Sequence, residues 1–150
     1  MGFVKTEETS WNGHRCVFMR ANTEHHSLTL YPKALREEIG FSPHSSCMAF
    51  GVQLANYRQL RDAVAFLQEN GVKVRLDLPS ELTPGIDYVA HAFDPDGHCI
   101  QLYANMEQVG WDGQPRPASM RPHVDTSNWP ETLEATSDTY TGEVFHGPWG

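Results

Sequence analysis

The chain has 150 residues and a mass of 16.9 kDa, the size of one domain, and a domain of that size buries enough surface for a core without disulfide or metal staples. Nineteen acidic residues against eleven basic ones leave a formal net charge of -8, which argues against the basic surfaces selected by nucleic acid and anionic membranes. No run of about 18 apolar residues is present, and the start Met1-Gly2-Phe3-Val4-Lys5 lacks the apolar stretch of a secretory signal, so a cytoplasmic location is expected.

The elements are taken in chain order. Residues 2–5, 15–20 and 26–31 read as strands, the last being His26-Ser27-Leu28-Thr29-Leu30-Tyr31. Residues 47–52, Cys47-Met48-Ala49-Phe50-Gly51-Val52, form a further strand leading into a helix over 56–70. Asn56 suits the N-cap of that helix, Gly71 suits the residue after its end, and Leu60, Ala63, Val64 and Leu67 make one apolar stripe. Strands follow at 72–76, 88–93 and 98–103, the last two joined by Asp94-Pro95-Asp96-Gly97, which is strong turn chemistry. Residues 46–104 therefore read β-α-β-β-β. Beyond residue 110 the chain carries Trp111, Trp129 and Trp149 among five prolines. A short helix is expected near Asn128 or Trp129, with Pro130 in its first turn and Leu133 at its end. Three tryptophans and Phe145 are costly to leave in water, so 111–150 is expected to wrap the domain or a neighbour.

The first segment repeats the second. His26–Tyr31 matches His98–Tyr103 at four of six places when Leu and Ile are equated, 2–5 parallels 71–74, and 15–20 stands where 88–93 does. The fold class is thus α+β, with duplicated βαβββ units: unit one over 1–32, unit two over 46–104, within a module of 1–110. The first unit lacks the opening strand and helix, so its sheet has an open edge, and association through that edge, as a homodimer or by completion from another chain, is expected.

Three cysteines, Cys16, Cys47 and Cys99, are too few and too scattered for a disulfide framework. Eight histidines are the main chemical resource. As neighbours on one strand, His25 and His26 should point to opposite faces, with His26 inward beside Leu28 and Leu30. An interior histidine is either a proton shuttle or a core residue bonded to a carbonyl. His44 and Cys47, three apart, are weak evidence for a metal. No HExxH, nucleophile elbow, P-loop or dinucleotide fingerprint occurs, so the residues alone give a sheet domain without a reaction.

The duplicated unit, the Glu24-His25-His26-Ser27-Leu28-Thr29-Leu30 segment and Asp94-Pro95-Asp96-Gly97-His98-Cys99-Ile100-Gln101-Leu102-Tyr103 together resemble the vicinal oxygen chelate superfamily. The resemblance covers residues 1 to about 111. Within the superfamily the chain is most similar to the catalytic module of type I extradiol ring-cleaving dioxygenases, which are oxidoreductases acting on catechols. That resemblance implies that the units form a cupped mixed sheet around an iron(II) or manganese(II) ion held by two histidines and a glutamate. It places Cys47 where the second histidine ligand belongs and Gln101 where the glutamate belongs, with His44 as an alternative ligand. It also puts the acid/base histidine on His26 and the active-site tyrosine on His91, so that His26, His91 and Tyr103 would meet the substrate. A thiolate favours zinc, and an amide removes the charge that balances iron(II). The reading that follows is a module with degenerate metal ligands, for which no metal is as much expected as a bound one, that binds a small aromatic or other organic ligand or serves as a partner subunit. An active ring-cleaving dioxygenase completed by another chain or register is the alternative.

Overall fold

The computed structural model describes residues 2–109 and 113–133. Strands β1 (Val4–Trp11) and β2 (His14–Arg20) form an antiparallel hairpin closed by the two-residue loop Asn12-Gly13, and β3 (Leu28–Leu30) adds to the far side of β2. A short helix α1 (Leu35–Glu38) leads towards β4 (Phe50–Gln53). Helix α2 (Tyr57–Glu69) follows, and then β5 (Val74–Arg75), β6 (Val89–Phe93) and β7 (Cys99–Tyr103). The second sheet has the order β4-β7-β6-β5, with β4 parallel to β7 and the other pairs antiparallel. Among the described residues no helix is long and apolar enough to cross a membrane.

Helix α2 forms where its end signals stand. The Asn56 side chain accepts a hydrogen bond from the Gln59 amide at 2.9 Å. At the other end Gly71, at φ +74°, donates to the Gln68 carbonyl, and Val72 donates to that of Leu67. Those two bonds satisfy carbonyls that a helix end otherwise leaves unpaired. The stripe of Leu60 and Val64 is buried against Ala90, Leu102 and Ala104 of the second sheet. The other face of that sheet carries Cys99 and Phe93, which meet Cys16, Phe18, Leu35, Ile39 and Phe41 in a core shared with the first sheet and α1.

Two expectations are corrected here. Leu28 and Leu30 do not face inward: they pair with Met19 and Val17, while Thr29 pairs with the buried Phe18, so the leucines occupy the outer face. They are 39% and 52% exposed. Their repeat equivalents Ile100 and Leu102 lie on the face that α2 covers, and Leu102 is 9% exposed. His25 and His26 precede β3 instead of lying on it, so strand alternation does not govern them, and their rings meet edge to face at 5.2 Å.

The helix expected near Asn128 is the second. Asp125 caps a turn by accepting bonds from the Ser127 amide and hydroxyl, and the carbonyls of Pro130 and Glu131 accept from Tyr57 and Arg61. Tertiary partners for those carbonyls replace the helical ones. Trp129 packs against Tyr88 and Tyr57. Trp111, Trp149 and Phe145 lie outside the described residues.

Candidate functional site

A cleft of about 860 Å³ is lined by β3, the end strand of the first sheet, and by Gly51 of β4, the end strand of the second. Five of the six residues singled out from the sequence line it: His26, His44, Cys47, Gln101 and Tyr103. Leu28, Leu30, Met48 and Met106 supply apolar wall, so the cleft has the mixed lining and the size of a small-molecule site.

His91 lies elsewhere. It pairs with Gln101 across β6 and β7, is buried, and lines a separate cavity of about 20 Å³ together with Thr83, Tyr31 and Gln101. Burial pulls its pKa down to about 4, Arg75 adds to that, and Asp77 opposes it. Its Nδ1 has no partner among the described residues. A cavity of that size holds one water, for which Nδ1, Thr83 and Gln101 offer polar contacts.

His26 is held by a buried relay. In β1 the register shifts between Lys5 and Glu7, so Glu7, and not Thr6, stands opposite the buried Phe18 and shares its inward face. Glu7 Oε2 lies 2.8 Å from His25 Nε2, and His25 Nδ1 lies 2.9 Å from His26 Nδ1. Arg121, from the segment after residue 112, grips both Glu7 oxygens, Nη1 at 3.1 Å and Nη2 at 2.6 Å. Burial works against ionising Glu7, but hydrogen bonds from Arg121 and His25 outweigh it and hold the carboxyl below its ordinary value.

An ionised carboxylate only accepts, so the network assigns the tautomers. His25 donates from Nε2 to Glu7, its Nδ1 accepts from His26 Nδ1, and His26 keeps a free lone pair on Nε2. Burial and then the neighbouring His25 pull the His26 pKa down to about 3, against a small opposing effect of Glu7. His26 is thus neutral near pH 7, and it suits accepting a hydrogen bond from a ligand O–H better than storing a proton.

The backbone around the relay is equally constrained. His25 donates its amide to the Glu107 carbonyl at 2.8 Å, and Glu107 donates to the Gly85 carbonyl at 2.7 Å. A Cβ at residue 85 would fall 2.5 Å from His25 Cγ, and Gly85 has φ +79°, so only glycine fits there.

The donor set does not fit iron(II) or manganese(II). At the two ligand positions implied by the resemblance stand the thiol of Cys47 and the amide of Gln101. His44, Cys47 and the other cleft residues form no group of three metal-ligating side chains within reach of one ion. Among the described residues the one such group is Asp94, Asp96 and His98, in the turn before β7. Those groups bind one another there: Asp94 accepts from the His98 amide at 2.7 Å, and its second oxygen lies 3.0 Å from His98 Nδ1.

Sequence reasoning missed Glu7, Arg36, Gly85 and Arg121. Glu7 depends on a bulge and Arg121 on a long-range contact, neither of which leaves a local signature. The doublet His25-His26 was visible, but its side-by-side arrangement was not.

The sequence profile of the Glyoxalase/Bleomycin resistance protein/Dioxygenase superfamily matches residues 1–102. Among solved structures the chain is similar to a catechol 2,3-dioxygenase, with 13% sequence identity and a TM-score of 0.53 over 72% of this chain and 32% of that one. The chain thus spans about a third of that protein's length, and the likeness is one of fold. No curated protein matches the chain.

Proposed function

The chain belongs to the Glyoxalase/Bleomycin resistance protein/Dioxygenase superfamily, and from that premise we propose that it binds a small aromatic or other organic ligand in the cleft beside His26, with the iron-binding set of a ring-cleaving dioxygenase lost. The observation that carries this reading is the pairing of a cleft of about 860 Å³ with Cys47 and Gln101 at the expected ligand positions. The cleft supplies apolar wall for a ring, and the relay from Glu7 through His25 presents His26 as an acceptor for a phenolic or other hydroxyl. Its three cysteines are free, which supports a reducing compartment such as the cytoplasm.

Titration of the full chain with catechol and related phenols, followed by calorimetry or by NMR shifts of the His26 ring, tests the proposal. Saturable binding that weakens about tenfold in His26→Ala is expected, the loss of one buried hydrogen bond to the ligand. No binding of any small aromatic compound would refute it.

One observation favours the second reading, an active dioxygenase completed by another chain. The end strands β3 and β4 both line the cleft, and among the described residues each lacks a strand partner on its outer edge. A second chain pairing there would bring side chains of its own to the cleft. Oxygen uptake with catechol after loading with iron(II), in a sample that sediments as a dimer, is the result that supports this alternative. A monomer inactive under those conditions removes it.

A further inference from the structure

Arg36 stands apart from the other guanidinium groups near carboxylates. Arg15 meets Glu8, Arg75 meets Asp77, Arg116 meets Asp87 and Glu107, and Arg121 meets Glu7. Arg36 is only 4% exposed, donates from Nη2 to the Cys47 carbonyl, and leaves Nη1 buried with no partner among the described residues. Among the described residues it forms no ion pair. A buried cation without a counter-charge is strongly unfavourable unless something else supplies that charge.

Arg36 lines the same cleft as His26. In a chain of net charge -8, that cleft is lined by two cations, Lys33 and Arg36, against a single carboxylate, Glu24, which accepts a hydrogen bond from Asn22 at 3.2 Å. Ser45 converges on the same point as Arg36: its hydroxyl donates to the Cys47 carbonyl at 2.9 Å, and it also lines the cleft. A guanidinium presents parallel donors that match the two oxygens of a carboxylate, and the apolar residues of the cleft suit the organic remainder better than a bare inorganic anion.

We propose that the cleft takes a small organic acid, its carboxylate paired with the buried Arg36 and supported by Lys33. This rests on the ligand-binding reading above and names the class of ligand. Neither Cys47 nor Gln101 is required to hold a metal for it. The protein selects acids over their neutral counterparts because only the acid supplies the charge that Arg36 lacks.

The test compares 3,4-dihydroxybenzoate with its methyl ester, which keeps the ring and hydroxyls and removes the charge. Calorimetric titration of the full chain is expected to show the acid binding at least about tenfold tighter, the scale of one charge-assisted hydrogen bond. In Arg36→Gln the two compounds should bind alike, at the affinity of the ester for the wild type. Equal affinity of acid and ester in the wild type, or a preference that survives in a folded Arg36→Gln protein, would overturn the proposal while leaving the ligand-binding reading in place. Binding of neither compound would count against both. Should Arg36→Gln not fold, the primary amide 3,4-dihydroxybenzamide decides on the wild type, since it keeps the shape of the acid and removes its charge: binding as weak as the ester supports the ion pair, and binding as tight as the acid contradicts it.

Discussion

The two sheets repeat one pattern but end in different states. In the second unit β7 is flanked by β4, and its outer face is covered by α2, so Leu102 is 9% exposed. In the first unit β3 carries nearly the same residues, has no strand on its outer edge among the described residues, and leaves Leu30 at 52%. Similar local sequences therefore differ in burial because of what the rest of the chain lays over them. The same absence opens the molecule beside β3, where the cleft forms. The covered unit buries its last strand under α2, and the bare one contributes His26 to the cleft.

The largest expected effect separates the two units directly. Leu102→Ala should destabilise the protein by about 2–5 kcal/mol, as removal of a buried leucine does, whereas Leu30→Ala should stay within about 0.5 kcal/mol. Chemical denaturation of both variants at low protein concentration checks this. A large loss at Leu30 would mean that its face is covered in solution, which breaks the comparison and favours completion by a second chain.

Next comes Gly85→Ala, which forces a Cβ against the His25 ring at a positive φ. A loss of about 1–3 kcal/mol is expected from overpacking and backbone strain, and the NMR signals of both His25 and His26 should shift, since the two rings are hydrogen-bonded. Movement of His25 alone would uncouple the relay.

The pH dependence reaches both units through their buried histidines. His26 titrates at about 3 and His91 at about 4 when folded, whereas an unfolded histidine titrates near 6.5. Between those values the unfolded chain binds more protons, so stability falls as the pH drops from about 6.5 towards 4. Below that range, protonation of Glu7, whose pKa is also depressed, removes more. Melting curves taken at half-unit steps should be level above neutrality and decline on the acid side. Replacing His91 by Gln should make the decline shallower, and an unchanged slope would show that His91 is protonated in the fold.

The smallest effect concerns the covering helix. Asn56→Ala removes the side-chain cap on the Gln59 amide and should cost about 1 kcal/mol. A helix cap that proved dispensable would weaken the claim that α2 is what distinguishes the second unit.

Much of the frame was legible in the sequence because its signals are local. Asn56, the stripe of Leu60 and Val64, and Gly71 delimit α2, and the turn at Asp94–Gly97 separates two strands with clear patterns. The repeat of His26–Tyr31 in His98–Tyr103 was legible too, and it extends to the faces of the two strands. What failed was inference from strand alternation near a strand end: His25 and His26 lie just before β3, and Leu28 and Leu30 face the side where the first unit has no helix. The site was partly legible, since five expected residues share the cleft. Glu7 reaches it through a bulge, Arg121 from more than a hundred residues away, and Arg36 through the four-residue helix α1, none of which has a periodic signature. The helix expected at Pro130 lost to side chains of α2 that take its carbonyls.

The most direct test of the central claim is elemental analysis of the folded full chain, purified without added metal and then dialysed against iron(II) and manganese(II). The proposed loss of the iron-binding set at Cys47 and Gln101 predicts only trace iron and manganese in a protein that binds a small organic ligand. Iron or manganese approaching one ion per chain would contradict it.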